Sequence, residues 1–287
     1  MPTATQTWPS SSRPPLGRHV PFLTAPDGIR LYYEIEGSGP PLLFHLGAGC
    51  DAELWRVAGY VEPLAKTNTC ILFDHRGHGK SDHPATAAAN HIDRYADDVA
   101  ALVAHLGYSS VSFLGWSAAI TVGLKAADLY PNLFDALVLV GGMAPRATAE
   151  EIAASIPARV SGLREKGWWF VIGDMLPAEK FPVPQWFVDR VLASDIEPLI
   201  GWAHARSDWN WSPWDALPNV AAPTLIVAGE LEDPDDVMGE VASLMPNATR
   251  VRIPDREHIN TFLASELVVP LVEDFLSTRR PDRSPAR

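Results

Sequence analysis

Three kinds of side chain that together perform acyl transfer occur at well-separated positions in this chain: a serine among small residues, a late histidine, and a pair of adjacent carboxylates between them. The serine, Ser117, lies in LGWSAAI (Leu114 to Ile120), after the alternating run SVSFL and before a stretch of helical character. It is either a small residue tolerated at a turn or a nucleophile at the tip of a tight strand-to-helix bend. Gly115, Trp116, Ser117, Ala118 and Ala119 have the spacing G-x-S-x-G, with alanine in the last position. Such a bend demands small neighbours, because the serine is strained and the following helix packs close to its strand. The start of that helix would direct free N–H groups and a positive dipole end at an anionic oxygen.

A serine needs a base, and the base needs an orienting carboxylate. His258, in VRIPDREHIN, falls between the last expected strand and the last expected helix. The other histidines fit less well: His75, His78 and His83 belong to a Gly-rich turn, His19 to the N-terminal arm and His204 to a Trp-rich segment. For the acid, PTLIVAG runs into ELEDPDD, where Glu232 and Asp233 are adjacent and only one can face the imidazole. Asp233 is the expected partner, since Pro234 fixes the turn after it and a shorter carboxylate is easier to hold rigidly; Glu232 is the alternative. No acidic residue lies between Gly141 and Glu150, which excludes an acid after the preceding strand.

These groups need a scaffold that brings strand ends together. Short apolar runs bounded by turn residues recur as IRLYYEIEG, PPLLFHLG, NTCILFD, SSVSFLG, FDALVLVGG and APTLIVAGE, and read as buried strands. Between them lie helical patterns such as HIDRYADDVAALVAHLG, with Ile92, Tyr95, Val99, Leu102 and Leu106 three or four apart. The alternation predicts an α/β fold, a mostly parallel central sheet with helices on both faces. Residues 260–277 read as a closing helix.

About seventy residues between LVLVGGMAP and APTLIVAGE lack a clear strand and carry seven of the ten tryptophans. They read as a helical cap. The expected organisation is therefore a disordered arm (1–18), a core (19–143 and 217–278), a cap (144–216) and a disordered tail (279–287). Tryptophans of the cap serve either its own core or an apolar pocket for a bulky or aromatic ligand.

The chain has 287 residues, 47% of them hydrophobic, enough for one large domain or a domain with an insertion. Its 35 acidic and 23 basic residues give a formal charge of -12, which argues against nucleic acid and anionic membrane as partners and favours small neutral or weakly polar ones. Cys50 and Cys70 read as free thiols, as in a reducing compartment. No apolar run resembles a signal-peptide core or a membrane span, and a cytoplasmic location is expected. No phosphate loop, dinucleotide fingerprint or metal cluster is evident, so no cofactor is expected; a metal reading of Asp74, His75 and His78 has no further ligands to support it. Oligomeric state is not legible.

Together GSGPPLLFHLGAG, DHRGHGKSD (Asp74 to Asp82), GWSAA, AGELEDP and the late His258 resemble the α/β-hydrolase fold superfamily, over about residues 20 to 277. DHRGHGKSD, the most specific of these, is similar to the family's D-x-R-G-x-G-x-S turn, which is structural more than catalytic. The resemblance implies catalytic roles for Ser117, Asp233 and His258, and an oxyanion hole from the N–H groups of Ala48 and Ala118, with Gly47 as donor if the loop is shifted by one residue around His45. Trp116 beside the serine, Gly47 in the loop after PPLLFHL, and Trp168, Trp186 and Trp202 of the Trp-rich segment are the expected substrate contacts. A serine at the bend speaks against the dehalogenases and epoxide hydrolases of the family, which use aspartate there; no tyrosine follows Tyr130 to protonate an epoxide. The expected activity is hydrolysis of an apolar ester or lactone, with aromatic and macrocyclic substrates in view. Carbon-carbon bond hydrolases and perhydrolases share the triad, and a slow-turnover sensor of the strigolactone- or karrikin-receptor type is the alternative from another class.

Overall fold

Continuous apolar runs dictate the centre of this molecule, because a strand covered on both faces has no polar side to alternate with. The computed structural model describes residues 22–143 and 146–278; the expected arm and tail lie outside them. Its sheet contains β1 (Phe22–Thr24), β2 (Arg30–Gly37), β3 (Pro41–His45), β4 (Thr69–Asp74), β5 (Val111–Trp116), β6 (Phe134–Val140), β7 (Thr224–Gly229) and β8 (Ala248–Ile253). The spatial order is β1-β2-β4-β3-β5-β6-β7-β8. Strands β3 to β8 are mutually parallel, and the β1–β2 hairpin is joined to β4 by an antiparallel pairing. The short β1 carries no alternation of its own and is absent from the sequence expectation.

Alternate strand residues feed two cores. Leu42, Phe44 and Leu72 face one side with Trp55, Phe262 and Val272, whereas Leu43, Ile71 and Phe113 face the other with Val99, Leu102 and Ile120. The expected closing helix is broken into His258–Leu263 and Ser265–Ser277.

Register fixes where the loops emerge. Trp116 pairs with Val140 and Val140 with Val227, so β5 and β6 end level with each other and β7 runs two residues further on the same edge of the sheet. Ser117, the Gly141–Gly142 pair and Glu232 follow those three ends directly. This edge lies outside the carboxyl ends of parallel strands, where open α/β sheets place their ligands.

Between β6 and β7 the described chain is helical, with the longest helices at Ala149–Lys166, Gln185–Leu192 and Glu197–Ala205. The first starts from a capping box: Thr148 Oγ1 accepts from Glu151 N–H at 3.2 Å, and Thr148 N–H donates to Glu151 Oε2 at 2.7 Å. This segment has no core separate from the sheet, because Leu163, Trp168, Phe187, Val191 and Ile200 join the same buried cluster as Leu42 and Phe44. It is also tied to the loop after β3, with Arg190 paired to Asp51 at 2.6 Å and Ser194 Oγ donating to Gly49 O at 3.0 Å.

The DHRGHGKSD turn is built around Asp74, whose carboxylate accepts from Ala52 N–H at 2.6 Å and Lys80 N–H at 2.9 Å. Arg76 is buried and grips Asp98 through two 2.6 Å hydrogen bonds, so the turn acts as a structural clasp. Cys50 and Cys70 are buried and unpaired. Among the described residues no helix is long and apolar enough to cross a membrane.

Candidate active site

Ser117 adopts φ +61°, a left-handed conformation that costs a non-glycine residue roughly 1–2 kcal/mol. The strand–helix junction holds it there. Ser117 N–H donates to Val140 O at 3.0 Å, and the helix Ala119–Leu129 begins two residues later. Small residues are required around it: a Cβ on Gly47 would lie 2.7 Å from Ser117 Cβ, and Ala119 is fully buried beside Gly115.

His258 Nε2 lies 2.9 Å from Ser117 Oγ, and His258 Nδ1 lies 2.8 Å from Glu232 Oε2. This geometry assigns the Nδ1–H tautomer, with the Ser117 hydroxyl donating to Nε2. The imidazole stacks on Trp116, ring centres 5.0 Å apart, and Trp116 stacks on Phe262 at 4.5 Å. A Cβ on Gly141 would lie 3.0 Å from His258 Cε1, so that position too must stay small. The helical segment reaches this histidine from the other side: Glu179 accepts the N–H groups of Ile259 and Asn260 at 2.8 and 3.0 Å, at the start of the helix that carries His258.

The acid facing His258 is Glu232, not the expected Asp233. Glu232 Oε1 accepts from Gly229 N–H at 2.6 Å, and Oε2 accepts from Gly142 N–H at 3.1 Å besides His258. Two strand-end amides thus anchor the longer side chain, which removes the flexibility that favoured aspartate. Asp233 points away and accepts from Met238 N–H at 3.1 Å. It lies 3.5 Å from Arg250, and burial raises its pKa above the usual carboxylate value.

Ser117 opens into a cavity of about 820 Å³ whose wall includes Trp202, Trp209, Trp211 and Trp214. Of the tryptophans expected to touch substrate, only Trp202 lines it. Trp168 is buried over Gly49 and donates Nε1–H to Ser194 O at 2.7 Å, holding the helical segment to the β3 loop. Trp186 is exposed beside Phe187, and Trp116 backs the histidine. Gly47 serves as the close-packed floor beneath Ser117 rather than as cavity wall. Ala48 and Ala118 both line a narrower cavity of about 90 Å³ that shares Trp202 with the larger one.

Arg146, Arg159 and Arg206 also line the larger cavity, and sequence reasoning missed them. The sequence does carry a signal for Arg159. In Ile152, Ile156, Arg159 and Leu163, it occupies a position of the helix's inward stripe.

His45, His75 and His78 stack in the neighbouring wall, with ring centres 4.7 and 3.8 Å apart. Burial holds His45 and His78 down to about 4 and keeps His75 well below the usual imidazole value. They are neutral rings at pH 7. His78 Nε2 accepts Gly49 N–H at 2.9 Å, which orders the loop bearing Ala48.

Comparison with known proteins agrees with this architecture. A family model described as the alpha/beta hydrolase fold matches residues 40–176. A non-heme haloperoxidase of Rhodococcus erythropolis is 38% identical over 99 residues, 34% of this chain and 35% of that protein. The chain thus aligns to well under two thirds of that relative's length. A 2-(acetamidomethylene)succinate hydrolase of Mesorhizobium japonicum is 26% identical over 282 residues, covering 86% of this chain and 92% of that one. Among solved structures, a thermophilic esterase from Thermogutta terrifontis superposes with a TM-score of 0.78 at 24% identity, over 91% of this chain and 98% of that one. The family match, the strand order and these likenesses converge, and the chain is a protein of the α/β-hydrolase fold.

Proposed function

We propose that this protein is a serine hydrolase that cleaves a carboxylic ester or lactone through an acyl-enzyme on Ser117. The observation that carries the reading is the hydrogen-bonded series from Ser117 through His258 to Glu232 at the mouth of a large cavity. Ser117 Oγ attacks the substrate carbonyl while His258 Nε2 takes its proton, and Glu232 stabilises the resulting imidazolium. The tetrahedral oxyanion is received by the N–H groups of Ala118 and Ala48; among the described residues neither has another acceptor. His258 then protonates the leaving alcohol. Water attacks the acyl-enzyme, gives a proton back to His258, and releases the acid with Ser117 restored.

Residues 144–216 act as the cap that shapes this pocket, and their tryptophan walls favour a substrate with a flat or bulky apolar part. The buried, unpaired thiols fit a reducing compartment such as the cytoplasm. The test requires no natural substrate: the protein is treated with a fluorophosphonate, digested, and the adduct located by mass spectrometry. Modification of Ser117 that is lost in His258→Ala supports the reading. An unmodified Ser117, with the reagent found elsewhere or nowhere, overturns it.

A further inference from the structure

The charge inside the cavity opposes the charge of the whole chain. The protein carries a formal net charge of -12, yet the pocket beside Ser117 is lined by Arg146, Arg159 and Arg206. Arg159 reaches from the helix Ala149–Lys166, and Arg206 from the turn after the helix Glu197–Ala205. No ion pair of either occurs among the described residues, and the Nε of each is buried without a hydrogen-bond acceptor. The two guanidinium groups lie close enough for Arg159 to depress the pKa of Arg206 on top of its burial. Guanidinium does not deprotonate in proteins, so both remain charged and both lack a counterion.

The carboxylates on the same wall do not neutralise them. Glu151 is taken up by the Thr148 capping box, and Asp215 is exposed at the rim. Arg146 lies over the Trp214 ring at 5.2 Å, and Arg206 over Trp209 at 5.6 Å. Indole faces thus support planar cations whose N–H groups make no hydrogen bond among the described residues. A buried donor without an acceptor destabilises the fold, and two like charges held together add to that cost. A fold keeps such a pair where a ligand supplies the missing anion. The shape and donor number match a carboxylate, which planar guanidinium receives through paired hydrogen bonds.

We propose that the substrate is anionic: an ester or lactone bearing a carboxylate separate from the scissile bond, which Arg159 and Arg206 receive while the tryptophans cover its apolar part. This rests on the serine-hydrolase reading and narrows its substrate class, replacing the neutral ligand expected from composition.

The test compares two matched pairs of esters, one with the carboxylate on the acyl half (mono-4-nitrophenyl adipate against 4-nitrophenyl heptanoate) and one with it on the alcohol half (4-acetoxybenzoate against its methyl ester). In at least one pair the anionic ester is expected to exceed its neutral partner at least tenfold in kcat/KM. Arg159→Gln/Arg206→Gln is expected to bring that ratio close to one, and Arg159→Lys to retain part of it. Neutral esters preferred in both pairs overturn the proposal, as does a ratio unmoved in the double variant. Fluorophosphonate labelling of Ser117 reports whether each variant folds, and the wild-type ratio decides if the double variant does not. Binding is read apart from chemistry in Ser117→Ala, where adipate is expected to quench tryptophan fluorescence. Hydrolysis that survives Ser117→Ala would sink the serine mechanism yet leave that quenching intact.

Discussion

His258 Nδ1 lies 2.8 Å from Glu232 Oε2, whereas the adjacent Asp233 carboxylate turns to the amide of Met238. One peptide bond therefore separates an acid that orients the imidazole from one that starts the helix Val237–Leu244. Glu232→Gln is expected to lower kcat by about 10³- to 10⁴-fold, because the amide cannot hold the required tautomer. Asp233→Asn is expected to leave kcat within about tenfold and to act mainly on the unfolding temperature. Steady-state kinetics and thermal melts on the two variants separate the roles, and the reverse pattern would return the acid to Asp233.

Ser117 stores backbone strain at the strand–helix junction. Ser117→Ala removes the proposed nucleophile but keeps the strain of the left-handed φ, whereas Ser117→Gly removes both the hydroxyl and the strain. The glycine variant is expected to be about 1 kcal/mol more stable than the alanine variant in urea unfolding, with neither turning over ester. Equal stabilities would mean that the junction imposes no backbone cost.

The tryptophans divide by position. Trp168 is 4% exposed and packs between the helical segment and Gly49. Trp168→Ala is expected to cost about 3–5 kcal/mol of stability. Trp202→Ala, on the cavity wall, is expected to raise KM for aryl esters several-fold, while exposed Trp186→Ala changes neither stability nor KM appreciably. A KM effect at Trp186 larger than at Trp202 would place the substrate elsewhere.

Stability is expected to fall in acid because of His45, His75 and His78. Burial keeps His45 and His78 down to about 4 in the folded state, against 6.5 when unfolded. Between those values the unfolded chain binds protons that the folded chain excludes. The contribution is complete above pH 6.5 and is lost as pH falls toward 4, by up to about 1.4 kcal/mol per pH unit for each ring. Asp74 and Asp98, raised by burial, act with the opposite sign, so the informative quantity is the difference on removing one ring. His45→Phe is expected to flatten the dependence of unfolding free energy on pH in this window, and an unchanged slope would count against a neutral buried ring.

The sheet was legible because strands buried on both faces are written as apolar runs, and LGWSAAI was legible because a tight bend admits only small neighbours. Ser117 and His258 followed from those elements by order alone. The choice between Glu232 and Asp233 was not legible, since it depends on the amides of Gly142 and Gly229, which arrive from two strands far apart in sequence. The same holds for the cavity. Seven clustered tryptophans announced an aromatic segment between β6 and β7, but which rings face the cavity depends on how its helices dock on the β3 loop. Arg206 appears in the sequence as an ordinary surface-type residue, and Arg159 only as a charged residue on an otherwise apolar helix stripe. Only the packing of the helical segment brings them together with no ion pair among the described residues, because proximity between distant segments is a property of the folded chain and has no local signature.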